Sequence, residues 1–410
     1  MSKSSLLRFG IFIVPVIIVF SQCLNLKKKE DPRGHEYAGS ATCVSCHKDI
    51  YNSYLHTAHF QSAQPSGANT ISGSFKDGSN AFAFTDGTKV EMHSTDSGFY
   101  QTAYENGKPT QTERFDITFG AVKGESYAYW KGNELFQLPI SYVSNVHSWI
   151  NSPGYDNRIS YTRPISTLCM DCHVSYIKSE KPNLPGYLVN PDGFDKSSIV
   201  YGVDCERCHG PAAEHVKFQM DNPTVKEAKY IIKFASLTRD QKINMCAICH
   251  SGTSTPILRP TFGFRPGDTL LKYMAASNFV KTPDYTHIDV HGNQKALLAS
   301  SKCFINSKMD CSTCHDTHTN ERADMLLYTA RCMTCHNTDT HNVCKLSNQL
   351  TSDVLKNNCI SCHMPAQLSK VIIAGQTGAL VHTHHIAVYP GETQKILAYL
   401  KIKLPDKGSH

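Results

Sequence analysis

The stretch GVDCERCHGPAAEHV, residues 202–216, contains two cysteines, a histidine directly after the second cysteine and another histidine six residues later. Taken alone, it is compatible with a metal site, a disulfide or a covalently attached group. The pentapeptide Cys-x-x-Cys-His occurs seven times in the chain and uses fourteen of its seventeen cysteines. Histidine makes up only 21 of 410 residues, so its position after every pair is not a coincidence. In chain order, motifs 1 to 7 are Cys43, Cys46 and His47; Cys169, Cys172 and His173; Cys205, Cys208 and His209; Cys246, Cys249 and His250; Cys311, Cys314 and His315; Cys332, Cys335 and His336; and Cys359, Cys362 and His363.

Cys-x-x-Cys-His is the attachment signal for c-type haem. The two thiols add to the two vinyl groups of the porphyrin, and the adjacent imidazole binds the iron as the proximal ligand. Structural zinc would use such cysteine pairs two at a time, with no need for a histidine in the fifth position. A redox dithiol would occur once, and disulfides would not require the histidine. The sequence therefore predicts seven covalently attached haem c groups, with zinc sites and redox dithiols as the alternatives.

Composition and charge fit a protein that is dense in haem. The length allows two or three ordinary domains, and the chain contains only two tryptophans, so porphyrins would supply part of the apolar core. The formal charge of +6 would by itself indicate acidic partners. Haem propionates would offset that charge. No run of basic residues typical of nucleic-acid binding occurs beyond residues 27–29, so we expect no nucleic-acid partner.

The N-terminus has the features of an export signal. Basic Lys3 and Arg8 precede an apolar run over residues 9–20, which is too short to span a bilayer comfortably. Cys23 lies where a bacterial lipoprotein signal places its acylated cysteine, although the preceding FSQ departs from the usual small residue. We predict a signal sequence over residues 1–22 and a lipid anchor at Cys23, which would place the protein in the periplasm or cell envelope. An uncleaved anchor and simple secretion are the alternatives.

The rest of the chain divides into segments that differ in sequence pattern. After a tether over residues 23–34 and a first haem segment over residues 35–69, residues 70–145 contain no motif. There, alternating apolar residues are interrupted by Asp86-Gly87, by Asn106-Gly107 and by residues 131–133, which predicts antiparallel hairpins. We therefore expect a small β-rich insert. Residues 146–363 form a multihaem core with six motifs, and residues 364–410 form an extended tail that wraps over the haems.

Fourteen histidines remain as candidates for the sixth ligand of each iron. A histidine a few residues beyond its own motif cannot easily pass around the porphyrin edge, so we expect His215, His318 and His341 to serve neighbouring haems. One candidate per haem is given by His59, His147, His215, His287, His318, His341 and His384. The histidines that compete with these are His56, His291, His382 and His385.

Cys303 and Cys344 lie outside the motifs. They are compatible with a disulfide in an oxidising compartment and equally with two separate buried thiols.

Several segments resemble bacterial multihaem c-type cytochromes of the cytochrome c-552/c-554 type. Residues 37–59, YAGSATCVSCHKDIYNSYLHTAH, are similar to the family's first haem segment, in which the histidine at the position of His59 is a distal ligand. The segment from residue 202 to residue 216 is similar to a family segment whose final histidine is His215 here. SKMDCSTCHDTHTNE with ARCMTCHN resembles a paired motif in which His318 matches a ligand, and NCISCHMPAQ resembles the last motif, with His384 as its downstream ligand. The resemblance implies a mostly α and irregular multihaem cytochrome c fold that carries electrons.

Two classes of function are compatible with these features. If paired histidines occupy every iron, the protein transfers electrons to and from redox partners, such as quinol-linked proteins or other cytochromes, and is not an enzyme. The alternative is a multihaem reductase of nitrogen or sulfur oxyanions, which needs one iron with an open position and nearby groups that orient and protonate the substrate. No Cys-x-x-Cys-Lys motif, typical of the catalytic haem of some nitrite reductases, occurs in the chain. The electron carrier is the favoured interpretation.

We predict that the purified protein contains seven haems per chain, because each motif supplies both thiols and a proximal imidazole. Pyridine haemochrome analysis measures this number directly. A value far below seven, or colourless protein with free thiols, would rule out attachment at the repeated motifs.

Overall fold

The computed structural model describes residues 30–402, except residues 121, 156, 181–191, 253–254, 276–287, 338, 340–342 and 375–376. The signal sequence, Cys23, most of the tether, His287 and His341 therefore lie outside the described residues. The prediction of a mostly α and irregular fold with a small β insert is wrong. The structure has about 30% helix and 25% strand, with several antiparallel sheets.

Ten strands between residues 63 and 151 form two antiparallel sheets. One sheet has the order β2-β3-β4-β5, and the other has the order β1-β6-β7-β9-β10 with β8 paired to β7. The strands are β1 (Ala63–Pro65), β2 (Ala81–Ala83), β3 (Lys89–Thr95), β4 (Gly98–Glu105), β5 (Lys108–Arg114), β6 (Ile117–Phe119), β7 (Gly124–Lys131), β8 (Glu134–Gln137), β9 (Ile140–Val143) and β10 (Ser148–Asn151).

The turns in these sheets lie at the dipeptides that the sequence indicates. Asn106 and Gly107 both have positive φ, 51° and 75°, between β4 and β5. This is the backbone conformation of a type I′ turn, whose twist matches that of the two strands it joins. Gly87 and Gly132 also have positive φ, in the connections β2–β3 and β7–β8. Local turn chemistry therefore sets the register of these hairpins.

Two apolar clusters hold the β region together. The first contains Phe115, Tyr127 and Trp149, whose ring centroids lie 4.7–6.3 Å apart. The second cluster continues from β6 and β7 to Met170 and Val174, which flank the last residues of motif 2. The β region is thus packed directly against a haem motif.

Two further hairpins explain why the fold prediction failed. Strand β11 (Val174–Ser179) begins immediately after motif 2 and pairs with β12 (Phe194–Tyr201). In the predicted tail, β13 (Ala366–Ala374) pairs with β14 (Thr377–His382). Each hairpin contains a short apolar run beside a haem motif, and in such runs sequence periodicity does not distinguish a strand from a buried helical segment.

The helices are short and several of them carry motifs. They are α1 (Lys48–Tyr54), α2 (Thr167–His173), α3 (Cys205–His209), α4 (Ala213–Asp221), α5 (Arg239–His250), α6 (Gln294–Ala299), α7 (Lys302–Ile305), α8 (Met325–Met333), α9 (Ser352–His363) and α10 (Pro390–Tyr399). Motifs 1 and 5 begin in the 3₁₀ turns Ser40–Ser45 and Cys311–Thr313. Within the described part of the chain, no helix is both long enough and apolar enough to cross a membrane.

A buried ion network joins the N-terminal segment to motif 3. The Arg33 guanidinium contacts Asp31 at 2.8 Å, Asp204 at 2.8 Å and Glu206 at 3.1 Å, and all four side chains are less than a tenth exposed. Glu206, inside motif 3, also accepts hydrogen bonds from three backbone N–H groups. Asp204 caps α3 by accepting a bond from the N–H of Arg207. These contacts hold the segment that carries motif 1 against motif 3.

We predict that Arg33→Met lowers the free energy of unfolding by about 3–5 kcal/mol, because it leaves buried carboxylates without their cation. Arg265→Met is the matched control. Its pair with Glu36, at 2.6 Å, is more than half exposed, so its loss should cost about 1 kcal/mol or less. Denaturant unfolding of the holoprotein measures both variants. Equal effects of the two substitutions would contradict a structural role for the network.

Candidate haem-binding site

All seven motifs line one cavity of about 3290 Å³. Each motif contributes its second cysteine and its histidine to the lining. A pocket for one small-molecule ligand has a volume of about 300–1,000 Å³. The cavity therefore has room for several large groups, and the sites for these groups are continuous with one another.

Local backbone structure explains how each motif presents its side chains. Motif 3 forms α3, and motifs 2, 4 and 7 end α2, α5 and α9 at their histidines. Residues three apart lie on the same face of a helix, so the two sulfurs of a motif point to the same side. The histidine follows directly on the next position of the same turn. This arrangement fits two thioether bonds to one porphyrin edge and one axial imidazole.

Sulfurs of different motifs also lie against each other. Three pairs of thiols are within hydrogen-bonding reach: Cys43 with Cys205, Cys172 with Cys249, and Cys246 with Cys311. Motifs 5 and 6 are joined by Arg331, whose Nη1 donates a hydrogen bond to the carbonyl oxygen of Cys314 at 2.6 Å. The helices of motifs 6 and 7, α8 and α9, pack side by side. The attachment points of motifs 1 and 3 are therefore in contact, and so are those of motifs 2, 4 and 5, which continue to motifs 6 and 7.

Three proximal imidazoles each face a second imidazole from a distant part of the chain. The ring centroids are 6.2 Å apart for His250 and His59, 5.9 Å apart for His209 and His318, and 6.2 Å apart for His315 and His384. The ring planes are nearly perpendicular in the first pair, at 87°, and nearly parallel in the other two, at 25°.

This spacing fits a metal ion midway between the two rings. An imidazole nitrogen binds a first-row metal at about 2.0–2.1 Å, so two rings on opposite sides of one iron have centroids roughly 6 Å apart. Direct stacking of two imidazoles would bring them closer than this. The three pairs therefore have the separation of axial ligands to haem iron.

The backbone holds the three distal histidines in place. The N–H of Val203, just before motif 3, donates to the carbonyl oxygen of His59 at 2.9 Å. The Ser301 hydroxyl donates to the carbonyl oxygen of His384 at 3.2 Å. Asp316 accepts a hydrogen bond from the backbone N–H of His318 at 2.9 Å. The backbone of each distal histidine is thus fixed by contacts outside the haem motifs.

Hydrogen bonds at Nδ1 leave Nε2 available for a metal in several of the cavity histidines. A carbonyl oxygen can only accept, so a ring nitrogen bonded to it must carry the proton, and the other nitrogen keeps its lone pair. The bonds run from Nδ1 of His173 to Ser62 O (3.3 Å), His215 to Lys229 O (2.8 Å), His250 to Gln294 Oε1 (3.1 Å), His363 to Ala387 O (2.9 Å) and His382 to Met364 O (2.6 Å).

Burial keeps two of the distal imidazoles neutral. Burial, together with the neighbouring histidines, lowers the pKa of His59 and of His384 to about 4. Both rings are therefore uncharged at pH 7, which is the form that binds iron.

The remaining predicted ligands fall into three groups. His215 lines the cavity beside motif 3, although no second imidazole is paired with it at the spacing above among the described ring contacts. The geometry does not support His147 as a ligand, because it lies exposed in the turn before β10 with φ 48° and does not line the cavity. His287 and His341 lie outside the described residues. The competing histidines His291, His382 and His385 line the cavity, whereas His56 does not.

Arg207 is a residue of the site that the sequence reasoning missed. It occupies the second variable position of motif 3 and donates to the carbonyl oxygen of Thr261 at 2.7 Å and to the carbonyl oxygen of Asp171, in motif 2, at 3.2 Å. Burial raises the pKa of Asp171 to about 6, against the opposing effect of a backbone hydrogen bond from Thr261 and of the guanidinium. A charged residue between the two cysteines of the motif was the available signal.

Cys303 and Cys344, which lie outside the motifs, are free and both line the cavity. Cys303 lies near sulfurs of motifs 5 and 6, and Cys344 lies near those of motif 7. Across the described ranges, no three histidine, cysteine or acidic side chains converge on a common point, as a structural zinc site would require.

Comparisons with known proteins agree with this geometry. A family model described as cytochrome c554 and c-prime matches residues 125–210, which contain motifs 2 and 3. The fold is similar to that of a solved structure, the outer cell wall cytochrome OcwA, with a TM-score of 0.52, 16% sequence identity, and coverage of 88% of this chain and 81% of that chain. No curated protein matches the sequence. The predicted resemblance to multihaem c-type cytochromes is supported over the residues that the family model matches, and the structural similarity concerns the fold.

The ring angles predict two kinds of electron paramagnetic resonance signal in the oxidised protein. Perpendicular axial imidazoles make the iron orbitals nearly degenerate and give a highly anisotropic low-spin signal, which we expect from His250 and His59. Near-parallel imidazoles give an ordinary rhombic low-spin signal, which we expect from the other two pairs. Spectra of His59→Met and His318→Met should each lose the signal of the matching kind. Loss of the same kind of signal in both variants would contradict the pairing.

Proposed function

We propose that this chain is an exported c-type cytochrome that carries seven covalently attached haems and transfers electrons along them. One observation carries the proposal: three pairs of imidazoles stand 5.9–6.2 Å apart within a single cavity that all seven motifs line. The number seven rests on the motifs themselves, each of which has both cysteines and its histidine.

Paired imidazoles favour electron transfer over catalysis. A haem iron with an imidazole in both axial positions has no open position for a substrate. Such an iron changes between the ferric and ferrous states with little change in geometry. When bound, haem c supplies a one-electron couple at each site. The chain supplies the sulfurs, the axial nitrogens and the apolar surroundings, and its Nδ1 hydrogen bonds fix the orientation and basicity of the imidazoles.

The distal ligands also connect the sites. His59 follows motif 1 but faces the proximal ligand of motif 4, and His318 follows motif 5 but faces that of motif 3. Each such residue ties two attachment sites together, so the separation between neighbouring haems is set by a few residues of chain. Short, fixed separations are what an electron carrier requires.

We expect the reduced protein to remain reduced when nitrite or hydroxylamine is added without oxygen, and to be oxidised when a soluble ferric acceptor is added. The reason is that electrons leave through the exposed porphyrin edges and not through a ligand bound at iron. Stopped-flow absorbance at the haem α-band follows both reactions. Rapid oxidation by nitrite or hydroxylamine, with a high-spin ferric signal that shifts on their addition, would favour the oxyanion reductase instead.

Export and anchoring complete the proposal. The basic and apolar residues before Cys23 support a lipoprotein signal, and covalent haem c supports a location in the periplasm or cell envelope. A lipid on Cys23 would hold the haem-bearing region near the membrane, where quinol-linked proteins or other cytochromes are its proposed redox partners. No nucleic-acid partner is proposed.

We predict that Cys23→Ala moves the protein from the membrane fraction to the soluble fraction, because the acyl chains are attached through this thiol. Cell fractionation followed by haem staining measures the distribution, with the unsubstituted chain as the control. A variant that stays in the membrane fraction would show that another feature anchors the protein.

A further inference from the structure

A short segment at the end of motif 5 carries ligands for two different haems. His315 is the proximal ligand of motif 5, and His318, three residues later, faces His209 of motif 3 at a centroid distance of 5.9 Å. Asp316 lies in this segment, directly after the first ligand and two residues before the second. A single carboxylate therefore lies beside ligands of two neighbouring irons.

Asp316 is bound to the ligand that faces motif 3. Its Oδ1 atom accepts a hydrogen bond from the backbone N–H of His318 at 2.9 Å and another from Nδ1 of the same residue at 3.2 Å. The backbone bond forms a local turn, in which an aspartate side chain binds the N–H two residues further along the chain. This turn holds the carboxylate beside the imidazole ring.

The ligands of motif 5 have weaker acceptors. Nδ1 of His315 lies 3.3 Å from the hydroxyl oxygen of Tyr328, on α8. Nδ1 of His384 is buried, and within the described ranges no group accepts a hydrogen bond from it at ordinary geometry, although the backbone of His382 lies close. Among the described residues, neither imidazole of this pair therefore donates to a charged group.

The acceptor at Nδ1 affects the reduction potential of the iron. When Nε2 binds iron, Nδ1 keeps the proton and donates it to the acceptor. A carboxylate attracts this proton more strongly than a neutral phenol does, so the ring becomes a more basic ligand. A more basic ligand and a nearby negative charge both stabilise ferric iron and lower its reduction potential. We therefore expect a lower potential at motif 3 than at motif 5.

Haem attachment strengthens the effect of Asp316. The side chains of His318 and Asp316 are 44% and 47% exposed, and both line the cavity. A group bound between His209 and His318 keeps water away from their hydrogen bond. Electrostatic interactions are stronger where water is excluded.

Fixed charges around motif 3 act in the same direction. Three buried carboxylates share a single guanidinium there, that of Arg33, and they belong to Asp31, Asp204 and Glu206. Arg207, within the motif, adds one further cation. Three acidic groups therefore stand against two basic groups, and the excess of negative charge favours ferric iron.

Around motif 5, the described ion pairs are balanced. Glu321 pairs with Arg331, which also donates to the carbonyl oxygen of Cys314. Asp310, before the first cysteine of the motif, lies 3.9 Å from Lys242. These pairs leave no excess of negative charge beside the motif.

We propose that Asp316 directs electron transfer from the haem at motif 3 to the haem at motif 5, because it binds an axial ligand of the first haem and leaves those of the second to weaker acceptors. The inference rests on the proposed function and gives one of its steps a direction. In this step, one electron leaves the ferrous iron at motif 3 and reduces the ferric iron at motif 5, while the Nδ1 proton stays on His318. From motif 5, the attachment sites continue to motifs 6 and 7.

Redox titration of the holoprotein, followed by low-temperature electron paramagnetic resonance, tests the order of the two potentials. The low-spin signal that is missing in His318→Met belongs to motif 3, and the signal that is missing in His384→Met belongs to motif 5. In the unsubstituted protein, we expect the first of these signals to titrate at the lower potential. The reverse order, or equal potentials, would overturn the proposal.

Asp316→Asn tests the carboxylate itself. Asparagine keeps an acceptor for the backbone N–H of His318 but removes the charge, so the potential at motif 3 should rise by more than the potential at motif 5. The matched control is Asp310→Asn, since the Asp310 carboxylate accepts a hydrogen bond from the backbone N–H of Ser312 at 2.9 Å and contacts no imidazole. We expect the gap between the two potentials to narrow in Asp316→Asn and not in Asp310→Asn. A gap that is unchanged in Asp316→Asn, or that narrows equally in both variants, would overturn the role of Asp316.

A variant on the other side of the step keeps the test decisive if Asp316→Asn does not mature. Tyr328→Phe removes the acceptor from Nδ1 of His315, which makes this ligand less basic and should raise the potential at motif 5, so that the gap widens. A gap that narrows in Tyr328→Phe contradicts the inference. Haem content separates the two levels of the account: too few haems in the unsubstituted protein contradicts the proposed function, whereas a full set with the two potentials reversed contradicts the direction alone.

Discussion

The structure depends on pairs of histidines from distant parts of the chain. In each pair, the distance between the two imidazole rings matches that of two rings bound to the same metal ion. His250 and His59, His209 and His318, and His315 and His384 hold their rings 5.9–6.2 Å apart, too far for direct contact and well suited to iron. Each pair fixes two segments relative to each other at the position of one iron. The haem-binding half of the molecule is therefore organised by coordination, where an ordinary domain is organised by side-chain packing.

The two halves of the molecule differ in how they bury apolar surface. In the β region, Phe115, Tyr127 and Leu138 are almost completely buried within a single cluster of side chains. In the haem-binding region, α4 and α9 bury none of their residues, and α8 buries only Thr329. Their apolar faces turn toward the cavity, so the groups that fill it supply the missing core. We infer that this half of the chain gains most of its stability when the haems are attached, since unfilled apolar surface contributes nothing to folding.

The sequence predicted the chemistry of the site better than the fold. Each Cys-x-x-Cys-His is a local signal, because one helical turn contains all three groups, and the turns at Asn106-Gly107 are local in the same sense. His59, His318 and His384 were expected as ligands on resemblance, and His318 also on the argument that a nearby histidine cannot reach its own iron, but the sequence did not indicate which haem each of them faces. His147 was a poor choice because nothing in the sequence indicates that its turn faces solvent. The strands β11 to β14 and the contacts of Arg207 depend on tertiary packing against neighbouring motifs, which short apolar runs do not encode.

The most direct measurement of the central claim is an anomalous difference map from crystals of the holoprotein, collected at the iron absorption edge. The account predicts separate iron peaks midway between the rings of His250 and His59, of His209 and His318, and of His315 and His384. Iron peaks beside the proximal histidines with those three distal rings turned away, or no peaks within the cavity, would contradict it.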